Sequence, residues 1–309
     1  MKLITSSCIW NKGAHNAFTD LCEYNGQYFC CFRQAQKHVS SDGIIQVLVS
    51  DNLTDWRLSS TVRENNFDLR DPKLSVTPSG KLGLLYGKVQ RNKHKTTFLQ
   101  SAFCQSTNGI TWSASKLIAK QSQWLWRLSW HQGQAYGISY GEQKTMLYKG
   151  QPNGTLDCID DNLFSKQRYG KGYPNESDIV FLPDNSALAI LRRDADTCTA
   201  QLGRSKYPYT QWQWFDLKQY IGGPALIRYN DQVIVAGRSF SSAHGCKTCL
   251  WQVNLQNNQV EKLLTLPSTG DTSYPGLLIK DTQLIVSYYS EHQANKSSIF
   301  LAKVQLKTS

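Results

Sequence analysis

Short segments that alternate apolar and polar residues recur along the whole chain, and helical periodicity is nearly absent. Glycine, asparagine, aspartate and proline turns separate these segments, so each one predicts a β-strand with one buried and one partly exposed face. The predicted strands are Gln27–Arg33, Ile44–Ser50, Lys81–Gly87, Thr97–Gln105, Gln134–Tyr140, Ser186–Arg192, Gln232–Gly237, Gln283–Tyr289 and Ser298–Val304. This pattern predicts an all-β protein.

A turn motif repeats along the chain. Ser50–Trp56 (SDNLTDW) is echoed by Ser106–Trp112 (STNGITW) and, more faintly, by Ser205–Trp212 (SKYPYTQW). The spacing indicates a unit of roughly 50 residues, which is typical of a propeller blade. A chain of 309 residues holds about six such units, so we expect a single six-bladed β-propeller over residues 1–309. Ring closure should place the N-terminal segment in the same blade as the C-terminal strands, because open sheet edges would otherwise be exposed.

The net charge of +11 restricts the class of partner. The lysines and arginines are spread thinly, without a basic run or a recognition-helix pattern, so we expect no nucleic-acid partner. A diffuse positive field attracts acidic glycans equally well, and an acidic sugar or glycan is the expected substrate. No apolar run is long enough for a membrane span, and the first residues lack the apolar core of a signal peptide. We therefore expect a cytoplasmic protein, or a secreted one whose signal has been removed.

The nine cysteines are irregularly spaced, which favours free thiols in a reducing compartment over a disulfide framework. Cys246 and Cys249 form one lone CxxC pair, and a zinc site needs a second pair of ligands. We expect neither a structural metal nor a required cofactor.

Several charged and phenolic residues stand at the ends of predicted strands, where a propeller would gather them at its central mouth. Tyr274 lies in the tight bend Gly270–Gly276 (GDTSYPG), which would aim its phenol. The other candidates are Arg33, Asp42, Arg70, Asp71, Glu176, Arg192, Arg193 and Arg238.

The Ser…Asp/Asn…Trp turns resemble the Asp-box of the sialidase (neuraminidase) superfamily. The chain is also similar to that superfamily in the order of its other motifs: Phe32-Arg33 in the first blade, an aspartate before the first Asp-box strand, Asp71-Pro72, a glutamate followed by arginine, a further arginine, and a tyrosine. The resemblance covers the chain from Arg33 to Tyr274. It implies a six-bladed propeller and an exo-α-sialidase-like hydrolase that releases terminal sialic acid or a related nonulosonic acid with retention of configuration.

The resemblance also implies roles for the matching residues. Tyr274 and Glu176 would be the nucleophilic pair, and Asp42 would be the acid/base. Arg33, Arg238 and either Arg193 or Arg192 would grip the substrate carboxylate, Asp71 would line the pocket, and Glu291 would orient the first arginine. A neutral tyrosine suits a sugar whose anomeric carbon carries a carboxylate, because a carboxylate nucleophile would be repelled.

Other readings of these residues remain open. Each strand-end arginine alone is more often a surface ion-pair residue, Arg70 and Asp71 could form an intrablade ion pair, and Asp42 could simply belong to an Asp-Gly turn. Trp126 and Arg127, in the run Trp124–Trp130, could form a sugar-stacking wall or a core strand. A polysaccharide lyase acting on uronates could use His15, His38 or Tyr274 as its base. In the hydrolase, His38 would bind the substrate. A non-catalytic glycan-binding propeller is the third possibility.

Overall fold

The computed structural model describes residues 1–92, 95–293 and 296–306. It contains 25 strands and one short helix. In chain order they are β1 Lys2–Trp10, β2 His15–Tyr24, β3 Gln27–Ala35, β4 Ile44–Ser50, β5 Arg57–Val62, β6 Asp68–Val76, β7 Leu82–Asn92, β8 Lys95–Ser106, β9 Lys116–Ile118, β10 Trp124–Leu125, β11 Ser129–His131, β12 Gln134–Gly141, β13 Lys144–Gly150, β14 Leu156–Ser165, α1 Lys166–Tyr169, β15 Pro174–Phe181, β16 Ala187–Arg193, β17 Gln201–Ser205, β18 Trp212–Asp216, β19 Gly222–Tyr229, β20 Gln232–Ser241, β21 Gly245–Asn254, β22 Gln259–Thr265, β23 Ser273–Lys280, β24 Gln283–Ser290 and β25 Ser298–Gln305.

The strands form six small antiparallel sheets arranged as a six-bladed β-propeller, which confirms the predicted fold class. The innermost strands of blades one to six are β2, β6, β10 with β11, β15, β19 and β23. In the sixth blade, β1 pairs antiparallel with β25, so the sheet order is β1-β25-β24-β23. This pairing is the predicted ring closure. Within the described ranges, no helix has the length and hydropathy to cross a membrane.

All nine predicted strands are present, most of them extended by a few residues. The segment Ile44–Ser50 coincides with β4, whereas the segment Lys81–Gly87 belongs to the longer β7. These strands occupy the second or third positions of their blades. The innermost strands were not among the alternating segments, because each of them is interrupted by a bulge.

Two of the three predicted turn repeats have the same geometry. Ser50 Oγ accepts hydrogen bonds from the backbone N–H groups of Asn52 and Leu53. Asn52 Oδ1 accepts hydrogen bonds from those of Thr54 and Asp55. Ser106 and Asn108 repeat this pattern between β8 and β9. The third stretch differs, since Ser205 Oγ donates to the carbonyl oxygens of Lys206 and Gln211. A side chain that binds the backbone of its own turn stabilises the hairpin, so this motif has a structural role remote from the mouth.

Each innermost strand contains a bulge: between two consecutive pairs of the ladder it has one residue more than the second strand of the blade. In the first blade, Ala17 pairs with Arg33 and Asp20 pairs with Cys31, so two residues stand opposite one. The corresponding segments are Phe18-Thr19, Asp71-Pro72, Trp126–Leu128, Asn175-Glu176, Gly223-Pro224 and Tyr274-Pro275. We call this set the bulge ring. A bulge re-aims a side chain out of the sheet, so the ring directs one group from each blade towards the axis.

Backbone conformation and proline chemistry explain why these segments bulge. Phe18, Asp71, Gly223 and Tyr274 have φ of 63°, 50°, 55° and 47°, which places them in the left-handed region. Proline follows three of these residues, and because it has no N–H it suits the position that a bulge leaves unpaired. Tolerating such backbone at three non-glycine residues requires support from the surrounding structure, a pattern common at functional sites.

A buried ionic cluster lies beneath the bulge ring and joins three blades. Arg127 Nη1 lies 2.7 Å from Asp20 Oδ1, and Arg127 Nε lies 3.4 Å from Asp178 Oδ2. Each aspartate also accepts a backbone N–H of the following blade, at Leu74 and Leu226 respectively. We call Asp20, Arg127 and Asp178 the axial ion cluster. It connects the first, third and fourth blades and so stabilises the floor of the mouth.

Candidate active site

Tyr274 lies within the bulge ring, where aromatic rings from two other blades enclose its phenol. The rings of Phe18 and Trp126 meet it edge-on, with centroids 5.3 and 5.4 Å away. Thr19 Oγ1 donates a 2.9 Å hydrogen bond to the carbonyl oxygen of Tyr274. The residue is 8% exposed. These contacts fix the direction of the phenol, as its tight bend predicted.

Gly223, in the adjacent blade, lies against the ring of Tyr274. Its φ is +55°, and a Cβ at this position would lie 2.8 Å from Tyr274 Cδ1. Gly223→Ala therefore adds a steric clash to the left-handed backbone cost of about 1–2 kcal/mol. We expect its free energy of unfolding in urea to fall by more than that of Gly133→Ala, where φ is +75° and no atom lies within 4 Å. Equal losses in the two variants would contradict a close contact with the tyrosine.

Tyr274, Glu176 and Arg192 form a closed triangle of hydrogen bonds. The phenol donates to Glu176 Oε1 over 2.7 Å, and Arg192 Nη1 lies 2.8 Å from the phenolic oxygen and 2.8 and 2.6 Å from the two carboxylate oxygens. Burial and the carboxylate of Glu176 raise the pKa of Tyr274, so the phenol is neutral and holds a proton that Glu176 can accept. Burial alone would lower the pKa of Arg192, but Glu176 and Tyr274 outweigh it and raise that pKa.

Arg238 covers another side of the same phenol. Its guanidinium carbon lies 5.0 Å from the ring centroid of Tyr274. Arg238 Nε donates to the carbonyl oxygen of Thr272, and Nη2 donates to Asp271 Oδ1 and Tyr289 Oη over 3.2 and 2.8 Å. Nη1 of Arg238 has no hydrogen bond within the ranges that the structure describes. Arg192 likewise uses Nε and Nη1 and leaves Nη2 available. Two guanidinium groups beside one phenol can therefore receive an anionic group.

Asp271 is a hub at the rim of the mouth. Its Oδ1 accepts the hydroxyl of Tyr289 over 2.8 Å, whereas its Oδ2 lies 3.2 Å from His15 Nε2 and 2.5 Å from His38 Nδ1. The ring of His38 packs edge-on against Phe18 at 5.1 Å, and Phe18 in turn contacts Tyr274. Burial alone would raise the pKa of Asp271. The hydrogen bonds from His15 and His38 and the positive charge of Arg238 have a larger effect, so the pKa lies well below its usual value.

Asp71 occupies the bulge of the second blade. The residue is 6% exposed, and its Oδ2 lies 3.8 Å from Arg70 Nε. Burial raises the pKa of Asp71; Arg70 and Lys73 oppose this shift, and the negative charge of Glu176 adds to it. The predicted Arg70–Asp71 ion pair is thus present, and Arg70 also stacks over Phe18 at 4.9 Å. A buried carboxyl with a raised pKa is suited to keep a proton and donate it.

Arg33 and Arg193 stabilise loops and do not join the triangle. Arg33 is fully buried; it donates to Asp68 over 2.8 Å and also binds Ser40 and the carbonyl oxygen of Lys37. Arg193 is also fully buried and donates to Asp196 over 2.8 Å and to the carbonyl oxygens of the loop that follows it. Of the adjacent pair, it is Arg192 that reaches Glu176. A grip of three arginines that includes Arg33 does not fit this placement.

Asp42 and Glu291 also lie away from the triangle. Asp42 is exposed and its carboxylate accepts the backbone N–H of Gln36 within the loop. Glu291 accepts the backbone N–H of Asp271, while the carboxylate beside Arg33 is Asp68. The exposed carboxylate of Asp42 therefore stabilises the loop to which it belongs.

Trp126 and Arg127 make contacts inside the protein and do not present an exposed wall on which a sugar could stack. Trp126 is 1% exposed and packs against Tyr274 and Tyr140, so its faces are covered by protein. Arg127 points into the axial ion cluster. Sequence reasoning gave no role to Phe18, Gly223 or Asp271. Two signals were detectable: a proline directly after the bulge residue, as at Gly223, and the single aspartate in the stretch that contains Tyr274. Phe18 has no such signal.

The lone CxxC pair cannot chelate one ion. Cys246 and Cys249 both lie on β21, three residues apart, so their side chains point to opposite faces of the sheet. Cys249 is buried beside Ser239 and Thr265, and both thiols are free.

Comparison with known proteins shows the fold of this chain. No protein-family model matches it, and no curated protein sequence does. A protein of unknown function from Dyadobacter fermentans DSM 18053 is similar in structure, with a TM-score of 0.81, 15% identity and coverage of 99% of both chains. The α-L-arabinanase of Penicillium chrysogenum has a TM-score of 0.74, 13% identity and the same coverage. The sialidase of Trypanosoma rangeli has a TM-score of 0.70 and 11% identity over 94% of this chain and 55% of its own.

Two of these structural neighbours are named as glycosidases, and they differ in the sugar they act on. At identities of 11–15% the likeness establishes the propeller. The fold alone does not determine the substrate, which depends on the residues at the mouth.

Proposed function

We propose that this protein is a retaining glycoside hydrolase that releases a terminal acidic sugar, of the sialic acid type, with Tyr274 as its nucleophile. The observation that supports this most is the 2.7 Å hydrogen bond from the buried phenol to Glu176, closed by Arg192. A tyrosine paired with a carboxylate in an enclosed mouth is the arrangement that activates a phenol for attack. The sialidase and arabinanase neighbours agree with glycoside hydrolysis in general.

In the first step, the phenolic oxygen of Tyr274 attacks the anomeric carbon as the bond to the leaving-group oxygen breaks. The phenolic proton passes to Glu176 Oε1, which already accepts it. While the proton moves and the new bond forms, Arg192 stabilises the negative charge that Glu176 and the phenolic oxygen share. In the second step, water attacks the anomeric carbon, and Tyr274 leaves with the proton returned from Glu176. Two displacements at one carbon give retention of configuration.

Asp71 is the proton donor in this proposal, in place of the exposed Asp42. Its carboxyl lies in the bulge ring, and burial raises its pKa. It protonates the leaving oxygen in the first step, and its carboxylate accepts the proton of the attacking water in the second. Because the rate needs the protonated form, it should fall as the pH rises through the pKa of Asp71.

Asp71→Asn tests this assignment. With a glycoside whose alcohol leaving group is poor, we expect kcat/KM to fall by about 10²–10⁴-fold, the usual contribution of a general acid. With a 4-nitrophenyl glycoside, which needs little protonation to leave, the loss should be much smaller. Asp42→Asn is the matched control and should affect neither substrate strongly. The assignment fails if Asp42→Asn shows this leaving-group dependence and Asp71→Asn does not.

The anionic group of the sugar would be held by Nη2 of Arg192 and Nη1 of Arg238. Both arginines are positively charged in the buried mouth, since their neighbours raise the pKa of each. Each of these free nitrogens can donate a charge-assisted hydrogen bond to one carboxylate oxygen, so the two arginines together can orient the group without a third. A neutral sugar would leave these groups unpaired, which favours an acidic substrate over an arabinose unit.

A panel of 4-nitrophenyl glycosides of sialic acid, arabinofuranose and glucuronic acid tests the function. We expect nitrophenol release from the acidic sugars only. NMR of the first-formed product should show that the anomeric carbon keeps the configuration of the substrate. Release from the arabinofuranoside alone would overturn the acidic specificity. A product that absorbs in the ultraviolet through a new double bond would identify a lyase. Binding without any turnover would indicate a glycan-binding propeller.

A further inference from the structure

A cluster of two imidazoles and one carboxylate lies at the rim of the mouth. One potential ligand atom from each of His15, His38 and Asp271 lies within 4.8 Å of the other two. The three side chains come from separate parts of the chain: β2, the loop after β3, and the loop before β23. We propose that this cluster is a binding site for a divalent transition metal, with Zn²⁺ as its first candidate.

The distances fit one ion shared by the three atoms. Imidazole nitrogen and carboxylate oxygen bind zinc at about 2.0–2.2 Å, so two ligand atoms of the same ion lie roughly 3 Å apart. His15 Nε2 is 3.2 Å from Asp271 Oδ2, which already has this separation. His38 Nδ1, at 2.5 Å, needs to withdraw by a fraction of an ångström. The side chain of His38 is 43% exposed, so it has room to do so.

The surroundings of Asp271 are those of an oriented ligand. Its other oxygen, Oδ1, accepts the hydroxyl of Tyr289 and Nη2 of Arg238, and its backbone N–H donates to Glu291. Metal ligands are commonly held by such outer hydrogen bonds, which fix the carboxylate and leave the coordinating oxygen free. Arg238 also reduces the negative charge at the site, so the ion's affinity depends mainly on the two imidazoles.

The cluster opens onto a cavity of about 550 Å³ whose lining includes His15, His38, Asp271 and Glu291. Three protein ligands on one side and a cavity on the other leave positions for water or an oxygen of the substrate, the arrangement of an open metal site. The rings of His38 and Tyr274 both pack edge-on against Phe18. An ion at this place would therefore stand beside the bound sugar and bind an outlying oxygen of it or of its aglycone.

Metal binding is measured on the full chain after treatment with a chelator. We expect one Zn²⁺ per chain by calorimetry, and an absorption band in the visible range when Co²⁺ is added, because tetrahedral nitrogen and oxygen ligands give cobalt a distinct spectrum. His38→Ala and His15→Ala should abolish both signals. His244→Ala, at an exposed histidine outside the cluster, is the matched control and should retain them.

Tyr289→Phe gives a graded test because it removes only an outer hydrogen bond. We expect Zn²⁺ affinity to fall by about 10–100-fold, the usual effect of losing such a partner. Absence of Zn²⁺ and Co²⁺ binding by the wild type, or binding that His38→Ala and His15→Ala leave unchanged, would overturn the proposal. Uptake of inorganic phosphate that depends on His38, with no uptake of metal, would also overturn it. None of these measurements requires hydrolase activity, so the metal site and the proposed function can fail separately.

Discussion

Tyr274→Phe should abolish hydrolysis while the protein remains folded. Removing a covalent nucleophile costs roughly 10⁴-fold or more in kcat, since the remaining groups can bind the sugar but cannot form the intermediate. The phenylalanine ring keeps the packing against Phe18, Trp126 and Gly223, so thermal unfolding should change little. Steady-state rates on the acidic 4-nitrophenyl glycosides measure the first effect, and calorimetry measures the second.

A control and a chemical trap make this prediction specific. Tyr288→Phe removes another buried hydroxyl, one that donates to the carbonyl oxygen of Pro267 away from the triangle, and it should leave the rate nearly unchanged. An activated fluorinated glycoside should label the wild type at Tyr274, as shown by peptide mass spectrometry, and should not label Tyr274→Phe. Labelling of a carboxylate residue, or a phenylalanine variant that keeps most of its activity, would show that Tyr274 is not the nucleophile.

Arg127→Met should produce the largest loss of stability. The substitution leaves Asp20 and Asp178, with side chains 1% and 3% exposed, without the cation between them. Breaking a buried ion pair by removing one partner costs about 3–5 kcal/mol, because the other charge stays buried and unpaired. Urea denaturation at neutral pH measures the fall in the free energy of unfolding. Because the cluster joins three blades, we expect the substitution to destabilise the whole propeller and not one blade alone.

Two further variants separate this effect from a simple loss of charge. Arg57→Met removes an exposed ion pair with Asp51, 58% and 62% exposed, and should cost less than about 1 kcal/mol. The triple variant Arg127→Met, Asp20→Asn, Asp178→Asn removes the unpaired charges but keeps side-chain oxygens that can accept the N–H groups of Leu74 and Leu226. It should recover part of the lost stability. An Arg127→Met protein as stable as the wild type would show that the cluster does not stabilise the fold.

The middle strands of the blades could be predicted from the sequence because they are short segments rich in apolar residues and bounded by turn residues. The segment Ile44–Ser50 (IIQVLVS) became β4 without a change of bounds, although it is buried on both faces and lacks the partly exposed face that was expected. Strand spacing and the repeated Ser50 and Ser106 turns then gave the blade length and the number of blades. Pairing of β1 with β25 followed from the need to cover a free edge.

The innermost strands could not be predicted in the same way. Each bulge shifts the side-chain alternation by one residue, so a strand such as β23 reads as a turn rather than as a strand. Tyr274 was singled out because glycine and proline surround it, and Glu176 because it precedes a pair of arginines. Phe18 has neither signal, although it occupies the corresponding position in the first blade.

Three arginines show that strand register alone does not determine which partners a side chain binds. Arg33, Arg193 and Arg238 stand opposite Ala17, Pro174 and Gly222, the residues just before three of the bulges, so they are equivalent in the ladder. Their side chains nevertheless go to different partners. Arg33 binds Asp68 of the next blade and a carbonyl oxygen of its own loop, and Arg193 binds Asp196 and carbonyl oxygens of its own loop. Arg238 binds Asp271 from the next blade. Loop conformation decides between these outcomes, and a strand pattern carries no information about it.

A bulge residue stands outside the pairing of its strand, so its side chain can be exchanged without breaking the ladder on either side. In this protein each blade supplies one such residue to a common mouth, and the sheets that carry them need not change. Within the steric limit set at Gly223, a new specificity can therefore arise from one replacement in one blade. Propellers that share this architecture can diverge in chemistry far sooner than in shape, which agrees with neighbours that act on different sugars at very low sequence identity.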